Sequence, residues 1–144
     1  LEFRRVLFRS MAIARRESSF NPKAVSPANA QGLLQMNPET VKTLFPEQPF
    51  NLLDPETNIS IAAHYFAKVQ EEMNRNLPAA LAAYNAGEAQ VHTWEKRYPS
   101  IDRMLWVDLI PYRETRDYVA NVLSSYHWYR KIYENNSDFT DILP

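Results

Sequence analysis

Apolar positions recur at helical spacing along most of this chain, and prolines mark the places where the pattern restarts. Met11 to Ser18 follows a helical pattern that ends at Asn21-Pro22, because proline disfavours helical backbone in the residue before it. Glu17 is therefore expected near the C-terminal end of a helix. Lys23 to Gln31 is polar and broken by Ser26-Pro27 and Asn29, which predicts an ordered loop. Asn37-Pro38 and Asp54-Pro55 repeat one device, a capping side chain followed by proline at the first helical position, and both predict helix starts. From Pro55 to about Asn74, the residues Ile59, Ala62, Ala63, Phe66, Val69 and Met73 predict a buried helix face, with Gln70 as its polar exception. Leu77 to Tyr84 reads as an alanine-rich helix stopped at Asn85-Ala86-Gly87, where the glycine can take the left-handed closing conformation. Glu88 to Lys96 follows as a short helix, then a corner at Pro99 and an irregular passage through Trp106 to Pro111. Arg113 to Glu134 is the longest expected helix, with Val119, Val122, Leu123, Tyr126, Tyr129, Ile132 and Tyr133 as its apolar positions. The tail from Asn135 is expected to fray.

Composition agrees with this pattern and narrows it. A chain of 144 residues, 45% hydrophobic and 23% charged, fits one domain with a core of its own. Two glycines beside ten prolines disfavour an architecture of tight hairpins. The expected fold is mainly α, with at most a minor β element. The net charge is −1, with three arginines and one glutamate in the first ten residues and −3 for the remainder. No basic stripe appears after Arg16, which excludes a nucleic-acid partner. Without cysteine there are neither disulfides nor thiolate metal sites, and His64, His92 and His127 lie on separate expected helices without zinc-ligand spacing. No metal and no cofactor are expected. No stretch offers the roughly 20 apolar residues that a membrane-spanning helix needs.

The opening residues LEFRRVLFRS lack both the apolar run and the cleavage site of a signal peptide. Glu2 to Ser10 instead reproduces one reading frame of a widely used sequencing adapter. Residues 1–10 are accordingly expected to be a non-native segment, 11–134 a single domain and 135–144 a tail, with the natural chain continuing further on its N-terminal side. The other reading of the segment is a native basic, amphipathic helix start.

Two carboxylates invite a chemical role. Glu17, at a helix end facing a polar loop, suits a general acid if apolar walls desolvate it and hold its proton, and Phe20, Leu33 and Met36 are candidate walls. Taken alone, it reads as an exposed residue paired with Arg15 or Arg16. Asp54 reads as a helix cap and is left out of the site. The run ARRESSFNPKAVSPANAQGLLQ, from Ala14 to Gln35, resembles the first signature of the soluble lytic transglycosylase family, a branch of the lysozyme superfamily. LLDPETNI from Leu52, ALAAYNAG from Ala80 to Gly87 and IPYRETRDYVANVL from Ile110 to Leu123 resemble its later blocks, in order and approximate spacing. The resemblance covers nearly everything from Met11 to about Tyr133. Leu34 departs from the methionine usual there, exchanging one apolar residue for another.

This resemblance implies a lysozyme-like, goose-type catalytic domain acting on peptidoglycan glycan strands in the periplasm or cell envelope, as a monomer. It implies Glu17 as the single catalytic acid and base, in a cleft lined by the helix end, the loop from Ser26 to Gln35 and the AYNAG corner. Ser26 would polarise the acetamido group or hold the sugar, against a plain turn hydroxyl. Gln35 would hydrogen-bond an N-acetyl group, against a helix-capping role. Tyr84 and Asn85 would contact the reacting sugar, and Glu114 either faces the cleft or places charge at a helix N-terminus. Gly32 is expected to serve close backbone packing, and Trp94 and Trp106 stay open between cleft and core. Hydrolytic muramidase activity and a non-catalytic glycan-binding or envelope-assembly role are the rival functions.

Overall fold

Side chains that accept backbone protons set most of the helix starts in the computed structural model, which describes residues 2–134. Among the described residues the elements are α1 (Glu2–Ser18), α2 (Pro38–Leu44), α3 (Pro55–Glu72), α4 (Leu77–Ala86), α5 (Glu88–Glu95), α6 (Arg103–Asp108) and α7 (Arg113–Glu134). β structure is limited there to isolated antiparallel bridges that join Val25 to Gln31 and Gln31 to Met36. The fold is mainly α, as expected. The expected tail, 135–144, lies outside the described residues.

The two proline-marked starts form as the sequence predicts. Asn37 Oδ1 accepts from the Glu39 N–H at 2.9 Å ahead of α2. Asp54 Oδ2 accepts from both the Thr57 hydroxyl at 2.7 Å and the Thr57 N–H at 2.9 Å ahead of α3. Those two bonds, the hydroxyl first, hold the Asp54 carboxyl below its ordinary range. Each proline sits where a missing N–H leaves no helical bond unmade.

Elsewhere the structure corrects the expectation. The passage through Trp106 is not irregular: α6 begins where Asp102 Oδ1 accepts from Met104 N at 2.9 Å and Leu105 N at 3.2 Å. Six residues are too few to display a period, so this helix had no hydrophobic signature. Gly87 has the expected positive φ of 89°, but its ψ of 149° is extended rather than left-handed helical. Its N–H still closes α4 on Ala83 O at 2.8 Å, and the chain leaves directly into α5.

The described chain divides into two compact units, one ending at Tyr65 and the other beginning at Phe66. In the first unit, α1 buries Phe8, Ala12, Ile13 and Ala14, and begins at Glu2, inside the segment expected to be foreign. The α3 residues of this unit differ from the expected face. Ile59 is 42% exposed, and Asn58 is fully buried in its place. One residue step on a helix turns the side chain by about 100°, so the inward position fell to the polar neighbour. In the second unit, α4 is buried from Leu77 to Ala83 and lies against α5, α6 and α7. A helix apolar on every side is what such a central position requires. α7 buries Val119, Val122, Leu123 and Tyr126 as expected, and Tyr118 besides. Ile132 and Tyr133, expected in the core, are 60% and 59% exposed, because the last turns bury Arg130 instead, paired with Glu134 at 3.0 Å.

Candidate active site

Three of the expected site residues, Glu17, Ser26 and Gln35, belong to the first unit, and Tyr84, Asn85 and Glu114 belong to the second. In the first, α1 ends at Ser18, the last residue of the expected helical pattern. Ser19 and Phe20 both adopt left-handed backbone, with φ of 51° and 63°, and close the helix through Ser19 N to Arg15 O at 3.1 Å and Phe20 N to Ala14 O at 3.4 Å. Non-glycine residues in that region cost about 1–2 kcal/mol each. Asn29 and Gln35, further along the same loop, also have positive φ. Backbone strain of this kind persists only where surrounding bonds over-determine it, and it gathers at functional sites.

Glu17 itself is half-buried in the last turn of α1, between exposed Arg16 and half-buried Ser18. Of its three candidate walls, Met36 is buried, Leu33 is half-buried and Phe20 is 47% exposed. The Ser18 hydroxyl donates to Leu33 O at 2.8 Å, which joins the helix end to the GLLQ segment.

The loop is held by its own side chains. Ser26 Oγ accepts from Ala30 N at 3.0 Å, and the Ser26 N–H donates to Ala30 O at 2.9 Å. Its hydroxyl thus fills the turn role while keeping a proton to donate. Gln35 does not cap α2, which Asn37 caps; its amide nitrogen donates to Gly32 O at 2.9 Å and Ala24 O at 3.1 Å. The side-chain carbonyl takes part in neither bond. Gly32 has a φ of 80°, and a β-carbon there would overlap Leu52 O and the Asn58 amide nitrogen, which is the close packing expected of it.

Asn58 escaped sequence reasoning. It accepts from Leu34 N at 2.8 Å and donates to Gln31 O at 2.8 Å and Leu52 O at 2.9 Å, fixing the loop's far side. Its only sequence signal was membership of the LLDPETNI block. Asp54 is engaged as a cap, so it does not stand free as a second catalytic carboxylate. A hollow of about 360 Å³ in the same unit is lined by Pro38, Val41, Lys42, Pro46 and Phe50 among others, and by none of the expected site residues.

In the second unit, the Tyr84 ring is half-buried 5.9 Å from the Phe66 ring. Asn85 Oδ1 accepts from the Thr115 hydroxyl at 2.8 Å. Thr115, buried and adjacent to Glu114, is the residue of the last block that reaches the AYNAG corner, and the sequence did not single it out. Glu114 is exposed in the first turn of α7, where the helix dipole favours its charge.

Comparison with known proteins gives a consistent set of relatives. The family model for the transglycosylase SLT domain matches residues 7–107. The soluble lytic murein transglycosylase of Escherichia coli K12 is 45% identical over 129 residues, which cover 84% of this chain and 20% of that protein. Among solved structures, the 70 kDa soluble lytic transglycosylase of Escherichia coli matches with a TM-score of 0.83 at 38% identity, over 94% of this chain and 23% of that one. An inactive glutamate-to-glutamine mutant of the lytic transglycosylase Slt from Pseudomonas aeruginosa matches with a TM-score of 0.83 at 31% identity, over 99% of this chain and 25% of that one. The chain thus spans about a fifth to a quarter of the length of these relatives.

Proposed function

Because the chain belongs to the transglycosylase SLT family, we propose that it cleaves the β-1,4 bond between N-acetylmuramic acid and N-acetylglucosamine in peptidoglycan, with Glu17 as its single catalytic acid and base. The observation that carries this reading is the placement of Glu17, half-buried at a helix end that Ser18 ties to the GLLQ segment, while the rival carboxylate considered from the sequence, Asp54, is engaged as a cap. The inactive glutamate-to-glutamine form of the Pseudomonas aeruginosa relative supports dependence on one glutamate.

In this mechanism the Glu17 carboxyl protonates the glycosidic oxygen as its bond to the muramoyl C1 breaks. The resulting carboxylate then takes the proton of the muramoyl C6 hydroxyl, whose oxygen attacks C1 of the same sugar. A 1,6-anhydro ring forms, Glu17 is protonated again and no water is consumed. Hydrolytic glycosidases place two carboxyl groups about the bond; intramolecular attack draws on proximity instead. The substrate acetamido group can stabilise the cationic centre, with Ser26 and the Gln35 carbonyl as its polar contacts. Tyr84, the Asn85 N–H donors and Glu114 are assigned to substrate binding. Residues 11–134 act as one catalytic domain in this reading, a monomer working in the periplasm or elsewhere in the cell envelope; the family match, from 7 to 107, covers the part of that stretch up to Val107. No helix among the described residues is long and apolar enough to cross a membrane.

Mass spectrometry of digested cell wall tests the reaction. Anhydromuramoyl ends are expected, and reducing ends heavier by one water would make the chain a muramidase. Glu17→Gln should lower turnover by about 10³-fold, the scale of lost general acid–base catalysis, with glycan binding retained. Binding by the unaltered chain with no turnover at all would leave the non-catalytic role standing.

A further inference from the structure

One peptide group of the loop is gripped at both edges. The carbonyl of the Leu33–Leu34 peptide accepts from Ser18 Oγ at 2.8 Å, and its N–H donates to Asn58 Oδ1 at 2.8 Å. Ser18 follows Glu17 directly in the last turn of α1, and its hydroxyl also lies 3.1 Å from Ala14 O. With one proton to give, the shorter contact to the loop carbonyl is the stronger claim on it. Asn58, in the first turn of α3, is fully buried and commits both amide protons, to Gln31 O and Leu52 O. A hydrogen-bonded chain therefore runs from α3, through one peptide plane, to the residue beside Glu17. Such bonds polarise one another through the shared peptide, so the two grips strengthen together. Gly32 completes the arrangement, since only a residue without a β-carbon lets the Asn58 amide approach so closely.

We propose that Asn58 is a positioning residue for Glu17, acting through the Leu33–Leu34 peptide and the Ser18 hydroxyl to fix the end of α1 against the loop. This rests on the reading of Glu17 as the catalytic acid. The end of α1 is closed by two left-handed residues, Ser19 and Phe20, and the Ser18 bond ties this helix end to the GLLQ segment. A displacement of about 1 Å at a reacting group can cost about 10²-fold in rate.

The test measures kcat and KM on soluble glycan strands for Ser18→Ala, Ser18→Thr, Asn58→Asp and the double variant Ser18→Ala/Asn58→Asp, below their unfolding midpoints. Ser18→Ala should lower kcat about tenfold with KM within about twofold, and Ser18→Thr, which keeps the hydroxyl, should restore most of it. Asn58→Asp keeps the acceptor for Leu34 N but, once ionised, has no proton for the two carbonyls. Its kcat relative to the unaltered chain should fall by a similar factor at pH 7 and recover in part at pH 5. The double variant should fall no further than the lower single one, because both cut the same chain of bonds. If the aspartate does not fold, Asn58→Ser, which leaves room for a water, takes its place with the same expectation for kcat. A folded Asn58 variant with unaltered kcat, a loss carried by KM, or multiplying losses in the double variant each overturn the proposal. Glu17→Gln runs alongside: its retained activity would remove the catalytic reading, whereas an inactive Glu17→Gln beside normal Asn58 variants removes the positioning role alone.

Discussion

At the scale of single residues, the loop beside Glu17 is governed by a missing atom. A β-carbon on Gly32 would overlap a backbone carbonyl and the Asn58 amide, and the backbone there already has a φ of 80°. Gly32→Ala should destabilise the fold by about 3 kcal/mol, summing left-handed strain with overpacking, and urea unfolding will show whether it does. Gly87 is the contrast, because nothing lies within 4 Å of its would-be β-carbon and only its φ of 89° favours glycine. Gly32 as a packing residue and Asp54 as a cap were legible in the sequence, since each sits in a local pattern. Asn58 and Thr115 were not. Their partners, Gln31, Leu34 and Leu52 for one and Asn85 for the other, meet them only after folding, and no local spacing encodes such bonds. Gln35 fell between these cases: the motif picked it out, but its amide nitrogen turned out to bind the loop itself.

At the scale of elements, legibility followed length and punctuation. α7 was read over its full extent because Val119, Val122, Leu123 and Tyr126, all buried, repeat at three- and four-residue intervals. α2 and α3 announced themselves through an acceptor side chain followed by proline. α6 had neither length nor proline, and rests on Asp102 at one end and buried Trp106 and Val107 on its face. Asp102→Ala should therefore cost about 1 kcal/mol, the usual worth of such a cap, measured by thermal unfolding followed through tryptophan fluorescence. No change would mean that burial of Trp106 and Val107 alone holds the helix. The misplacement of Ile59 has a different cause: helical spacing identifies a stripe, but a buried Asn58 with three bonds takes the centre of it at no cost in unmade hydrogen bonds.

At the scale of the whole molecule, two carboxyls of the second unit contribute to stability in the sense opposite to Asp54, whose pKa is lowered. Glu88 is pushed above its ordinary value of 4.5 by burial, then by the charge of Glu72 and a hydrogen bond with it, against the pull of Lys68 and His92. Burial also raises Glu95, with His92 pulling it back. The folded chain keeps these protons to higher pH than the unfolded chain does. The stability they confer is thus complete below about pH 4.5 and is lost as pH rises through their raised values. Glu88→Gln, which fixes the neutral state, should raise the unfolding temperature at pH 7 by about 2 °C and leave it nearly unchanged at pH 4. An equal shift at both would assign the effect to packing instead. The fold class and family were legible from four motif blocks in order, and the relatives agree with both.

The double grip on the Leu33–Leu34 peptide also defines what a designer would have to move. Copying Glu17 onto the end of a helix in a foreign scaffold would transfer a carboxyl and not its setting. Reproducing that setting takes three separate pieces of chain, the helix end with Ser18, the loop from Gln31 to Met36 and the helix start holding Asn58. Their mutual placement, rather than any contiguous peptide, is the inheritable unit.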